Sequence, residues 1–161
     1  MALFHLGLST SGHDPALAIV DADGKLVFAE ATERFLQDKR AWGIAPDHVP
    51  HLEAALKQVG FDFGSDSLAV ATSWRKIKAE LPVELMGELL PVTDARWLRE
   101  LHAGINTHAG ASLLRLGIVQ QMPEVRRYDH HLCHAATACA FAPVDAASCL
   151  IVDGEGEAGA V

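Results

Sequence analysis

Residues 16–31 read ALAIVDADGKLVFAEA, and the fold class follows from this stretch. Two short apolar runs flank Asp23-Gly24, and an Asp-Gly pair between such runs is typical of the tight turn of a β-hairpin. We therefore expect strands over residues 16–21 and 25–31. Residues 3–9 have the same alternating apolar character and predict a strand before the hairpin.

The remaining sequence alternates between helical and extended patterns. Apolar residues at helical spacing predict a helix over 46–59 that ends before Gly60. An antiparallel hairpin followed by alternating helices and strands indicates an α/β domain with a mixed sheet. The further predicted elements are a strand at 67–72, helices at 77–90 and 95–116 interrupted by Pro82 and Pro91, a helix after residue 129 and a strand at 148–152.

Composition narrows the class of protein. The chain has 161 residues, half of them apolar, which is enough for one core or slightly more. Its net charge of −8 argues against a nucleic-acid partner, since no basic stripe offsets it. Three cysteines without regular spacing fit reduced thiols. Because there is neither a leader pattern nor an 18-residue apolar run, we expect a cytoplasmic protein without membrane spans.

The chemically most informative motif is DHHLCH at residues 129–134. His130 and His134 are four residues apart, so a helix places their imidazoles on one face, one turn apart. Asp153 follows a short apolar run and precedes a glycine, a position typical of a loop at a strand end. Two imidazoles and a carboxylate suit Fe²⁺, Zn²⁺ or Mn²⁺. The alternative is a histidine pair with a purely structural role.

Four strings together resemble the nodulation and antibiotic O-carbamoyltransferase family. They are YDHHLCHAATA at 128–138, LIVDGEGE at 150–157, GHDPALAIV at 12–20 and AEATERF at 29–35. The similarity extends from about residue 3 to the last residue, and the motifs that carry it lie near the two ends. Residues 45–125 carry no motif of that family. The combination is specific, whereas a single His-x-x-x-His would not be.

The resemblance implies the actin/hexokinase-like ATPase fold, in which two related lobes hold a nucleotide between them. Residues 1–161 would form the N-terminal lobe, similar to the tRNA threonylcarbamoylation ATPases, and the remaining part of the same enzyme would be its partner. The implied activity is ATP-dependent. A carbamoyl group passes from carbamoyl phosphate, through carbamoyl-adenylate, to a hydroxyl of a small molecule such as an antibiotic or a sugar.

The resemblance also assigns roles to particular residues. His130, His134 and Asp153 match the metal ligands, and iron, as Fe²⁺, is the metal that the family implies. His13 matches a catalytic histidine near the transferred group, and it could take the hydroxyl proton at neutral pH.

Arg34 and Lys39 match positions of a basic, phosphate-binding segment, where charge-assisted hydrogen bonds would hold carbamoyl phosphate or the adenylate. A solvated loop is the alternative for this segment. The sequence departs from the family pattern nearby, at Ala31, Thr32 and Gln37.

Two further interpretations of the whole chain remain open. One is a truncated, non-catalytic metal-binding or interaction module that kept the lobe without the chemistry. The other is a metallohydrolase that uses the same two histidines. The second is the weaker, because no glutamate follows the first histidine as in His-Glu-x-x-His.

Overall fold

The computed structural model describes residues 1–9, 13–75, 84–85, 88–89, 109–153 and 156. The chain divides into two compact units, which we describe separately. The first unit comprises Met1–Thr72 and Gly104–Arg126, and the second comprises Ser73–Ala103 and Arg127–Val161.

Strands dominate the beginning of the described chain, and helices separate consecutive described strands at two places. The elements in chain order are β1 (Leu3–Ser9), β2 (Ala16–Val20), β3 (Leu26–Ala31), α1 (Thr32–Leu36), α2 (Val49–Gln58), β4 (Ser67–Thr72), β5 (Glu84–Leu85), β6 (Glu88–Leu89), α3 (Ala111–Arg115), β7 (Val125–Arg127) and α4 (His130–Phe141).

Five strands form one mixed sheet in the order β3-β2-β1-β4-β7. β1 pairs antiparallel with β2, β2 pairs antiparallel with β3, and β4 pairs parallel with β1. The predicted α/β class and mixed sheet are therefore confirmed.

The predicted hairpin turn is also present. The carboxylate of Asp21 accepts hydrogen bonds from the backbone N–H groups of Asp23 (3.0 Å) and Lys25 (2.9 Å). Gly24 lies between them with φ at +81°, a backbone conformation that favours glycine. The turn is thus fixed by the residue types that predicted it.

The core of the first unit follows from the alternation along its strands. Leu6 and Leu8 of β1 are buried together with Leu17 of β2, and Leu52 and Leu56 of α2 join them in one hydrophobic cluster. Burial of each such leucine contributes about 2 kcal/mol of transfer free energy. This cluster holds β1 and β2 against α2, and these strands lie before and after the loop that contains His13.

Several predicted elements differ from the structure. The helix predicted over 77–90 is wrong where the chain is described, because Glu84–Leu85 and Glu88–Leu89 pair as an antiparallel hairpin. The sequence offers a reason, since Gly87 and the two flanking prolines disfavour a helix there. Of the helix predicted over 95–116, only Ala111–Arg115 is found, and residues 95–108 lie outside the described residues.

The strand predicted over 148–152 is also wrong. No described residue pairs with this segment, and the side chain of Leu150 is 88% exposed. An apolar run forms a strand only where a neighbour supplies backbone hydrogen bonds. Two short elements, α1 and β7, were not predicted.

Among the described residues, no helix combines the length and apolar character that crossing a membrane requires.

Candidate metal centre

Helix α4 begins at a well-anchored N-terminus. The carboxylate of Asp129 accepts a hydrogen bond from the backbone N–H of Leu132 at 3.0 Å, which makes Asp129 the N-cap. The same carboxylate forms an ion pair with Arg75 at 3.0 Å. These contacts fix the first turn of the helix, and His130 lies in that turn.

Three side chains of the second unit converge on one point. Asp153 Oδ2 lies 3.0 Å from His130 Nε2 and 2.9 Å from His134 Nε2. The two Nε2 atoms are themselves 3.2 Å apart. The structure thus brings together the three residues that the sequence analysis named as candidate metal ligands.

These separations fit the donor set of a first-row divalent metal ion. Bonds of about 2.1 Å at roughly 100° place two nitrogens about 3.2 Å apart, and bonds at roughly 90° place a nitrogen and an oxygen about 3.0 Å apart. Imidazole nitrogen with carboxylate oxygen is the ligand chemistry that iron, zinc and manganese accept. Together these three residues could hold one such ion.

The two histidines differ in their surroundings. The ring of Trp74 stacks on His130, with centroids 4.3 Å apart and planes 14° from parallel. The side chain of His130 is 13% exposed, whereas that of His134 is 51% exposed. His130 is thus the more firmly held of the two side chains, and His134 is the more accessible to solvent.

A cavity of about 340 Å³ adjoins two of the three converging residues, His134 and Asp153. Its lining consists of residues 149–153 together with His134 and Ala138 of α4. This volume is at the lower end of the range for small-molecule sites. A ligand in this cavity would reach the metal-binding atoms from the exposed side of His134.

Gly156 packs closely on helix α4. Gly156 is buried, and a Cβ atom at this position would lie 2.7 Å from His131 Nε2 and 3.0 Å from His131 Nδ1. A side chain at this position would therefore require Gly156 or the His131 imidazole to move. His131 therefore lies beside Gly156, although it is not among the three converging residues.

His13, the predicted catalytic residue, lies in the first unit. Its Nδ1 is 2.7 Å from Asp14 Oδ2, and its ring lies against Trp42 with centroids 4.7 Å apart. His13 thus has defined neighbours, which the sequence did not reveal.

The two predicted phosphate-binding residues also lie in the first unit. The Nε atom of Arg34 is 3.5 Å from a carboxylate oxygen of Glu33, and its side chain remains largely exposed. Lys39 is exposed. Across the described ranges, no hydrogen bond or ion pair joins Arg34 or Lys39 to His13. The structure therefore does not assemble these three residues into one contact network.

Sequence reasoning missed two residues that support the metal-binding histidines. Asp129 could have been found, because an aspartate directly before a helix is a typical N-cap. Trp74 could not, since its contact with His130 joins residues 56 positions apart and no local pattern signals it.

Comparison of this chain with protein-family models, curated proteins and solved structures gives no match.

Proposed function

We propose that His130, His134 and Asp153 bind a divalent metal ion, and that the chain is part of an ATP-dependent O-carbamoyltransferase. The single observation that carries the proposal is the convergence of the three ligand atoms within 3.2 Å of one another. The residues that converge are those that the resemblance designates as metal ligands, although Asp153 is 19 positions from the nearer histidine.

The fold is compatible with this proposal. A mixed sheet flanked by helices is the architecture that the resemblance implies for one lobe of an actin/hexokinase-like ATPase. The fold class alone assigns no activity, so the argument depends on the site.

The chemistry assigned to the chain is transfer of a carbamoyl group from carbamoyl-adenylate to a hydroxyl. The hydroxyl oxygen attacks the carbamoyl carbon, the bond to the adenylate oxygen breaks, and AMP leaves with the electron pair. His13 takes the hydroxyl proton as general base. A bound metal ion, with Fe²⁺ the first candidate, supplies positive charge that stabilises phosphate oxygens.

Arg34 and Lys39 are assigned to phosphate binding within this proposal. Lys39 is exposed and can reach an anion in solution. Arg34 already lies beside the Glu33 carboxylate, which offsets part of its charge. We therefore assign the larger share of phosphate binding to Lys39.

Apolar surface in the second unit supports a further polypeptide partner. Leu132 and Phe141 of α4 are exposed, and so are Leu150 and Val152 in the following segment. Helix α4 has no buried residue, although most of its side chains are apolar. Apolar patches of this kind mark interaction surfaces. Within the proposal, the remaining part of the same enzyme covers them.

The first experiment measures metal content by elemental analysis of the chain as purified and after loading with Fe²⁺ under anaerobic conditions. We expect about one ion per chain, and loss of that ion in the double variant His130→Ala/His134→Ala. His5→Ala is the matched control, because His5 is exposed in β1 of the other unit. Retention of the ion by the double variant would contradict the metal site.

The second experiment tests transfer in the longest reading frame that contains this chain. The enzyme receives carbamoyl phosphate, ATP and a panel of hydroxylated sugars and aminoglycosides, and mass spectrometry detects addition of a carbamoyl group. Product that requires both carbamoyl phosphate and ATP, and that disappears in His13→Ala, supports the transferase. Metal binding without ATP consumption or transfer would instead favour the non-catalytic module.

A further inference from the structure

His13 and Asp14 form a side-chain pair on the surface of the first unit. The imidazole Nδ1 lies 2.7 Å from Asp14 Oδ2. An aspartate carboxylate can only accept a hydrogen bond, so Nδ1 must carry the proton that is donated. In the neutral ring the other nitrogen, Nε2, then has a free lone pair.

The backbone holds Asp14 in the conformation that makes this contact. Its φ is +50°, which aspartate tolerates better than most residues. The backbone N–H of Asp14 donates to the carbonyl of Arg40 at 2.7 Å. This bond joins the loop after β1 to the loop after α1.

The second loop has its own unusual backbone. Arg40 has φ at +66° and Ala41 has φ at +40°, although neither is glycine, and Ala41 is fully buried. Such conformations cost of order 1 kcal/mol or more each and persist where the surrounding structure holds them. Their effect here is to direct the chain so that Trp42 follows beside His13.

Trp42 lies against the imidazole of His13 and restricts the orientation of its ring. The two ring centroids are 4.7 Å apart, and the planes are inclined by 59°. The indole is 63% exposed, and the Arg40 guanidinium carbon lies 5.8 Å from its centroid. Because Trp42 lies beside both His13 and Arg40, its indole ring can orient the imidazole of His13.

We infer that Asp14 and Trp42 are positioning residues for His13. Asp14 keeps the proton on Nδ1, so that Nε2 is the atom that accepts the hydroxyl proton, and Trp42 fixes the direction in which Nε2 points. The same division of roles orients the imidazole in other acid–base sites, where a carboxylate holds one nitrogen and the other reacts. The inference deepens the proposed function, because it rests on His13 as the general base.

The decisive variant is Asp14→Asn. Asparagine tolerates a positive φ as well as aspartate does, so a role confined to the turn would leave the variant unchanged. Its amide can either donate to Nδ1 or accept from it, so the ring proton is no longer confined to Nδ1 and can move to Nε2. Asp14→Gly also keeps the turn but removes the side-chain partner. Asp23→Asn, in the β2–β3 turn, is the matched control.

The tautomer is read from long-range ¹H–¹⁵N NMR spectra at about pH 8.5, where an ordinary histidine with a pKa near 6.5 is neutral. Exposed His5 is the internal reference. We expect the Nδ1–H form of His13 in the wild type and in Asp23→Asn, the Nε2–H form in Asp14→Asn, and a mixture in Asp14→Gly. Trp42→Ala should keep the tautomer but lose the ring-current shift on the His13 carbon-bound protons.

Kinetics then separate positioning from binding. We expect kcat for carbamoyl transfer to fall about 10- to 100-fold in Asp14→Asn, with KM for the hydroxyl acceptor unchanged within about twofold. A wild-type His13 in the Nε2–H form, or an Asp14→Gly spectrum identical to the wild type, would overturn the inference. If neither the wild type nor any variant transfers a carbamoyl group, while the tautomers are as expected, the proposed function is overturned but the positioning of His13 by Asp14 is not.

Discussion

The Nε2 atoms of His130 and His134 lie 3.2 Å apart, and both face the same carboxylate oxygen of Asp153. Two imidazole nitrogens this close together can either form hydrogen bonds with that oxygen or share a bound cation. A bound cation would engage all three atoms at once, since each has a lone pair to offer. The ion would therefore stabilise an arrangement that the folded chain already has.

Asp153→Asn is the most direct test of the carboxylate. Asparagine keeps the size of the side chain but removes its charge, and carboxylate is the better ligand for a divalent metal. We expect metal affinity, measured by competition with a chromophoric chelator, to fall by more than the 10- to 100-fold that is typical when an outer-shell partner is lost. Asp145→Asn, at an exposed aspartate of the same unit, is the control. Equal affinities for Asp153→Asn and the wild type would remove Asp153 from the site.

Gly156→Ala tests the contact between the loop and the helix. The added Cβ would lie 2.7 Å from His131 Nε2, closer than two such atoms can approach, so either the loop or the imidazole must move. We expect metal affinity to fall about tenfold and the melting temperature of the metal-free chain to decrease. Gly7→Ala is the control, because the nearest atom to a Cβ at that position is 3.9 Å away. If Gly156→Ala binds metal like the wild type, the packing of His131 does not set the position of Asp153.

Trp74 provides a test of the support for His130. Trp74→Phe keeps an aromatic ring beside the imidazole, whereas Trp74→Ala removes the surface on which it stacks. We expect Trp74→Ala to weaken metal binding about tenfold and to lower stability by about 3 kcal/mol, the usual cost of deleting a buried aromatic side chain. Trp74→Phe should retain most of both. Isothermal titration with the metal and urea denaturation separate the two effects, and equal affinities in the two variants would contradict the role of the stacked ring.

Local pattern predicted much of the first unit. The alternation of Leu6 and Leu8 and the Asp23-Gly24 turn specify β1 and the hairpin through interactions between near neighbours. Helix α2 follows equally from its apolar spacing. Strand prediction failed at 148–152, because an apolar run does not determine whether a pairing partner lies beside it. The helix prediction near residue 85 failed for a related reason, because isolated leucines fit both a helix and a short hairpin.

In the candidate site too, local sequence pattern predicted some features and left others without a signal. The four-residue spacing places His130 and His134 on one helix face by geometry alone. Asp153 was named as the third residue from its position after an apolar run and from the family resemblance, because no periodicity connects a helix with a distant loop. The contacts of Trp74 with His130, and of Trp42 with His13, depend on tertiary packing and had no signal in the sequence.

His51 on α2 is a buried ionisable group outside the proposed site. Its side chain is 0% exposed, with Nε2 3.0 Å from Glu30 Oε2 and Nδ1 3.1 Å from Thr32 Oγ1. Because a carboxylate only accepts, Nε2 donates to Glu30, and Nδ1 can accept from the Thr32 hydroxyl. The ring of Phe35 stacks on the imidazole, with centroids 4.8 Å apart. The neutral ring is therefore fully hydrogen-bonded in the folded state.

Burial lowers the pKa of His51 below its ordinary value of 6.5, and the hydrogen bond and charge of Glu30 only partly oppose this effect, while neighbouring His48 adds to it. On acidification, the unfolded chain takes up a proton near pH 6.5 before the folded chain does. Protonation then favours unfolding, so the free energy of unfolding should fall as the pH decreases from about 6.5 toward the folded-state pKa. Above that window the effect of His51 is absent.

Urea denaturation of the wild type and of His51→Gln at several pH values between 5 and 8 measures this contribution. The difference between the two proteins removes the effects of the other histidines. We expect the wild type to lose stability relative to His51→Gln below about pH 6.5, with a slope of at most about 1.4 kcal/mol per pH unit for one proton. Glu30→Gln should extend the loss to lower pH, because removing the carboxylate charge lowers the pKa of His51 further. A pH-independent difference between wild type and His51→Gln would show that His51 has the same pKa in the folded and unfolded chains.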